Sequence, residues 1–133
     1  METHNIKILL IDDDEMILKS LTSVFTKEGF GVITANDGDT GLVEALNKKP
    51  DLIITDIEMK KMDGMVMLKK IRKSGQWGEK VPVILLTNFD SNDRILKGIV
   101  DDQPSLYLLK SKISPSRILE KTKELLNTNN LVK

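Results

Sequence analysis

The sequence predicts an α/β fold: a five-stranded, doubly wound parallel sheet in one domain. Five short apolar runs recur along the 133 residues: IKILLI (6–11), GVITA (31–35), DLIIT (51–55), VPVILLT (81–87) and SLYLL (105–109). Most are apolar throughout rather than alternating, as strands covered on both faces of a parallel sheet are. The segments between them carry helical periodicity. Strand followed by helix five times over implies right-handed crossovers and helices on both faces.

The helices follow in order. Ile17, Leu21, Val24 and Phe25 form the first stripe, with Gly29 as a stop signal. Leu42, Ala45 and Leu46 form the second, ended by Pro50, and Met65, Leu68 and Ile71 the third, ended near Gly75. The fourth has the thinnest stripe, Ile95, Leu96 and Ile99 after the capping residues Ser91, Asn92 and Asp93, and is expected to be short or mobile. The last begins at Ser114, an N-cap followed by proline at the first helical position, and turns Ile118, Leu119, Thr122, Leu125 and Leu126 inward. The expected core runs from about 6 to 127, between a short N-terminal arm and a short tail.

Composition excludes several classes. Twenty basic and twenty acidic residues balance, which gives no long-range pull toward nucleic acid or an anionic membrane. There is no cysteine, hence no disulfide or thiolate metal site. METHNIK has no signal-peptide apolar region and no apolar run reaches membrane-spanning length, so the expected location is the cytoplasm.

The run KILLIDDDEM (7–16) ends an apolar strand in four consecutive acids. One reading is a helix start, where acids favour the macrodipole, and it suits Asp14 and Glu15. The other is a cation site. In doubly wound sheets ligands bind beyond the carboxyl ends of the strands. The residues closing the runs there are Asp12 and Asp13, Asp56, Thr87 and Lys110. Carboxylates without His or Cys suit a hard cation such as Mg²⁺, which usually works beside a phosphate.

In order, IDDDE, PDLIITDIEMKKMDG, VPVILLTN and YLLK resemble the response-regulator receiver domain over nearly the whole chain, from about Ile6 to about Leu126. The resemblance is nearest to stand-alone receivers of the chemotaxis and sporulation-relay types. It implies a flavodoxin-like (βα)5 fold with strand order 2-1-3-4-5. It implies that Asp56 takes a phosphoryl group from a phosphohistidine, delivered by a sensor histidine kinase or a phosphotransfer protein. Mg²⁺ would be held by Asp13 directly, by Asp12 through water, by Asp56, and by the backbone carbonyl of Glu58. Lys110 would pair with a phosphoryl oxygen and the Thr87 hydroxyl would bond another. Thr87 and Tyr107 would form the switch, reshaping the surface of the fourth helix, fifth strand and last helix for an unidentified downstream protein. The chain would assist its own labelling without being a turnover enzyme, as a monomer or weak dimer with no nucleic-acid or membrane partner.

Plainer readings compete at single positions. An aromatic in a strand, such as Tyr107, is usually packing. Met59, Met62, Met65 and Met67 read as gap-fillers around the third helix. Trp77 reads as loop packing and His4 as a solvated residue of the arm. The chain also departs from the family pattern. Ser111 stands where proline usually follows the lysine with a cis peptide. A cis bond to a non-proline costs about 3–4 kcal/mol, so a trans Lys110–Ser111 bond is expected. Asn88 replaces a small residue and, with Phe89, is expected to shield the acceptor. Lys60 replaces a proline four residues past Asp56, and VDDQPSLY replaces the usual glycine-alanine approach to the fifth strand.

Two rival classes remain. A pseudo-receiver scaffold would bind partners unphosphorylated, which the departures at Asn88 and Ser111 allow and the complete acid set opposes. A Mg²⁺-dependent aspartyl-phosphate phosphatase would need a second acid as general acid-base near its nucleophile. Here that neighbourhood is Ile57 and Glu58, with no room for a substrate cap.

Overall fold

The computed structural model describes residues 3, 5–88 and 93–128. Its five strands are β1 (Lys7–Ile11), β2 (Gly31–Ala35), β3 (Leu52–Asp56), β4 (Val83–Thr87) and β5 (Leu106–Leu109). All pairings are parallel, in the order β2-β1-β3-β4-β5. The helices are α1 (Glu15–Lys27), α2 (Gly38–Lys48), α3 (Gly64–Arg72), α4 (Gln76–Lys80), α5 (Asp93–Asp102) and α6 (Pro115–Thr128). The expected topology and strand order are therefore those observed.

Strand alternation divides the core in two. Leu9, Ile11, Ile53, Val83 and Leu85 face one side, where Ala45, Met65, Met67, Leu68 and Ile71 of α2 and α3 cover them. Ile8, Leu10, Leu52, Ile54, Ile84 and Leu86 face the other, under Leu21, Phe25, Ile118 and Leu126 of α1 and α6. Burying both faces is why these strands read as unbroken apolar runs. Met59 and Met62 pack at the edge of the first cluster, so all four methionines of that segment serve as filling.

Local chemistry starts four of the helices, α1, α2, α3 and α6. The Asp14 carboxylate accepts from the backbone N–H of Met16 at 3.0 Å, Asp37 from Thr40 at 2.8 Å and Asp63 from Val66 at 2.9 Å. The Ser114 hydroxyl accepts from Arg117 at 3.2 Å. Each satisfies a helix-terminal donor that has no intrahelical acceptor. Asp14 is thus a cap, as its place after the strand suggested.

Three expectations are corrected. The segment around Trp77 is not a loop but the one-turn helix α4, and the indole N–H donates to the Pro50 carbonyl at 3.0 Å. Leu46 is 37% exposed, while Gly38, Gly41 and Ala45 form the inner face of α2. The fourth predicted helix, α5, is not short; it runs ten residues. The capping residues Ser91 and Asn92 lie outside the described residues, as do His4 and Phe89.

Lys49 ends α2 at φ +44°, in the left-handed region. Glycine adopts that conformation without the clash at Cβ. Lys49→Gly is therefore expected to raise stability by about 0.5–1 kcal/mol in urea denaturation, with the slope unchanged.

Candidate functional site

The sheet register places the site. Ile11 pairs with Thr55, Asp56 with Leu86, and Thr87 with Leu109. Asp12, Asp56, Thr87 and Lys110 therefore emerge side by side at the carboxyl rim. Asp56 is the last residue of β3 rather than the first beyond it.

Lys110 opens a 3₁₀ turn (Lys110–Lys112), and its side chain points inward. The ammonium lies 2.6 Å from Asp12 Oδ2 and 3.1 Å from Asp56 Oδ2, and all three side chains are less than a tenth exposed. No cis peptide occurs among the described residues, so the Lys110–Ser111 bond is trans, as expected, and the lysine still reaches the acids.

Asp12 is 1% exposed, and its Oδ1 accepts from the Asp14 backbone N–H at 2.9 Å. Its Oδ2 touches the ammonium off the hydrogen-bonding direction. It is the one buried side-chain oxygen among the described residues without an aligned donor. Asp56 is 7% exposed, and its Oδ1 accepts from the Ile57 backbone N–H at 2.8 Å. Burial pushes its carboxyl above the usual range; Lys110 opposes that, and the Asp12 charge adds to it. At Lys110, burial works against the ammonium, but Asp12 and Asp56 outweigh it and hold the pKa above the ordinary lysine value.

Asp13 is exposed beside this pair, and Asp12, Asp13 and Asp56 offer carboxylate oxygens all within 4.8 Å of one another. Three carboxylates against one ammonium leave the pocket negative. The donors are all oxygen, and one buried oxygen is unbonded by any aligned donor. This set fits a hard divalent cation.

The remaining sequence-predicted residues are less central. Thr87 is buried at the end of β4, and Asn88 beside it is exposed. Glu58 is exposed two residues past Asp56. Tyr107 is half-buried and packs against the core beneath α2 and α3, consistent with the packing reading.

Two supporting residues escaped the sequence reading. The Thr55 hydroxyl donates to the Asp56 carbonyl at 2.9 Å. Gly64 donates its N–H to the Ile57 carbonyl at 2.7 Å and lies so close that a Cβ there would stand 2.2 Å from the Asp56 carbonyl oxygen. The Asp63–Gly64 pair, a cap followed by glycine, was the available signal for the second.

A pocket of acids and a lysine at the carboxyl rim of a 2-1-3-4-5 sheet defines a class, and comparison with known proteins specifies it. The family model of the response regulator receiver domain matches residues 8–123. The chain belongs to that family, the receiver domains of two-component signalling. It is 39% identical over 93 residues to the alkaline phosphatase synthesis transcriptional regulatory protein PhoP of Bacillus subtilis (strain 168), covering 69% of this chain and 38% of that protein. It is 41% identical over 91 residues to the transcriptional regulatory protein CpxR of Escherichia coli (strain K12), covering 68% of this chain and 37% of that protein. The chain thus spans well under two thirds of the length of these curated relatives. Among solved structures it resembles the CheY-like response regulator receiver domain protein from Methanospirillum hungatei JF-1, with TM-score 0.85, 28% identity, and 94% and 96% of the two chains covered. It also resembles the chemotaxis response regulator CheY4 of Vibrio cholerae, with TM-score 0.80, 25% identity, and 91% and 98% covered. No helix among the described residues is long and apolar enough to cross a membrane.

Proposed function

We propose that residues 6–127 act as one receiver unit that accepts a phosphoryl group on Asp56. The donor is a phosphohistidine of a sensor histidine kinase or phosphotransfer protein, and the output is contact with a downstream protein. The observation that carries this reading is the Lys110 ammonium, 2.6 Å from Asp12 and 3.1 Å from Asp56 in a pocket that excludes most water.

Asp12, Asp13, Asp56 and the Glu58 backbone carbonyl are the groups that would hold Mg²⁺. When bound, the ion supplies neutralisation of phosphoryl-oxygen charge and a fixed approach to the acceptor. An Asp56 carboxylate oxygen attacks phosphorus as the bond to the donor imidazole breaks. Its partner oxygen stays tethered to the Ile57 N–H, which fixes the attack direction. Lys110 follows the charge from Asp56 Oδ2 to a phosphoryl oxygen. The Thr87 hydroxyl bonds another, and Tyr107, three residues before Lys110, turns into the space vacated.

Adding phosphoryl charge to this dry pocket makes a switch biased by one modification. The unit assists its own labelling and hydrolysis and turns over no separate substrate. It works in the cytoplasm as a monomer or weak dimer, binding neither nucleic acid nor membrane itself.

Incubation with acetyl phosphate tests the reading. Intact mass should rise by one phosphoryl group with Mg²⁺ present and stay unchanged with a chelator or in Asp56→Asn. Labelling of Asp56→Asn to the wild-type extent would overturn it.

A further inference from the structure

The helix α5 leaves the core at Gln103, whose φ of +47° puts a non-glycine residue in the left-handed region. The last carbonyls of a helix have no intrahelical donor. Here one side chain supplies it. Arg72, at the end of α3, donates from Nε to the Asp102 carbonyl at 2.8 Å and from one terminal nitrogen to the Gln103 carbonyl at 2.9 Å. Its other terminal nitrogen donates to the carbonyls of Gly78 at 2.9 Å and Val81 at 2.7 Å, at the end of α4. A half-buried guanidinium thus ties together three helix ends, that of α5 lying 30 residues beyond Arg72 in sequence. Only the rigid five-donor fork of arginine can do this from one position.

Further contacts between α3 and α5 grade along the helix. At its end, Lys69 Nζ lies 3.5 Å from the buried Asp102 carboxylate. One turn earlier, Gly98 meets only the flexible tip of Met65, where a Cβ would stand 2.0 Å from Met65 Cε. Beyond the helix, Ser105 is bonded to Val83 in both directions, at 2.7 Å through its N–H and 3.2 Å through its hydroxyl. The end of α5 is therefore fixed on both sides, while its contact at Gly98 is yielding.

We propose that Arg72 is a fixed pivot for α5: it locks the Asp102–Gln103 end to α3 and α4, so that rearrangement of α5 is confined to the part nearer Thr87. The confinement of a signal-driven change rests on the phosphoacceptor reading; the lock itself does not.

Native-state hydrogen exchange tests the lock. The Val81 amide is bonded to the Trp77 carbonyl and the Gln103 amide to the Ile99 carbonyl, and these two bonds share no backbone segment. In Arg72→Lys, which keeps the charge and loses the fork, both amides should lose protection roughly tenfold together, with β1 unchanged. Adding Gln103→Gly should restore protection at residue 103 and not at Val81. Loss at only one of the two amides, or at neither, overturns the proposal.

Beryllofluoride with Mg²⁺ tests the confinement by NMR. Shift changes along α5 should stop before Asp102 in the wild type and extend through Gln103 in Arg72→Lys; wild-type changes that already reach Gln103 overturn the pivot. If beryllofluoride does not bind, the phosphoacceptor reading fails, and exchange still decides the lock.

Discussion

Lys110→Met is expected to lower the stability of the metal-free protein by about 3–5 kcal/mol at neutral pH, a fall on the order of 10 °C in melting temperature. The reason is the company the ammonium keeps. It is the cation within 3.1 Å of both Asp12 and Asp56, and none of the three side chains is more than a tenth exposed. Removing one partner leaves two buried carboxylates repelling each other without compensation.

The effect has a pH signature. Asp56 holds its proton more tightly in the folded state than in the unfolded one, because burial outweighs the help it receives from Lys110. Its contribution to stability is complete below the unfolded carboxyl value of about 3.9 and is lost as pH rises through the raised native value. Without Lys110 that native value climbs further, so the loss at neutral pH deepens. The gap between variant and wild type should therefore narrow as pH falls from 8 to 5 in chelator, read by thermal melts. A gap independent of pH would show that Lys110 acts through packing alone. By the same sign, Asp56→Asn should be more stable than the wild type at neutral pH without metal.

Gly64→Ala is the second large effect. The added methyl would stand 2.2 Å from the Asp56 carbonyl oxygen and 3.0 Å from Ile57 Cα, both backbone atoms that cannot rotate away. Relief requires β3 and the start of α3 to part, which stretches the Gly64 to Ile57 hydrogen bond. The expected cost is about 2–3 kcal/mol. Because the displaced residue is the proposed acceptor, the larger expected consequence is kinetic. A shift near 1 Å at a reacting group can cost about a hundredfold in rate. Acetyl phosphate labelling should slow by about that factor while Mg²⁺-free folding persists. A variant that labels at the wild-type rate would mean the loop yields without moving Asp56.

Much of this arrangement was legible in the sequence, for a physical reason. Strands buried on both faces are mainly apolar until their carboxyl ends, so the charged or hydroxyl residue that closes each run marks the carboxyl rim. Asp12, Thr87 and Lys110 were found that way, and Asp56 with an error of one residue in the strand boundary. Asp14 was separable from Asp12 because capping has its own spacing. What was not legible depends on groups without a sequence signature. Arg72 bonds four backbone carbonyls up to thirty-one residues away, and any residue provides a carbonyl. The inner face of α2 is set by glycine rather than by leucine. A Cβ at Gly41 would stand 2.7 Å from Ile11 Cδ1, so the helix packs on its small residues and leaves Leu46 outside. Hydrophobic periodicity counts glycine as nothing and therefore misplaces that face.

The central claim is that Asp56, and neither acid of the neighbouring pair, carries the phosphoryl group. Borohydride reduction of the acetyl phosphate-treated protein converts an aspartyl phosphate to homoserine, which peptide mass spectrometry locates. The account predicts homoserine at position 56 alone and none when Mg²⁺ is chelated. Homoserine at position 12 or 13, or no reduced residue in fully treated protein, would contradict it.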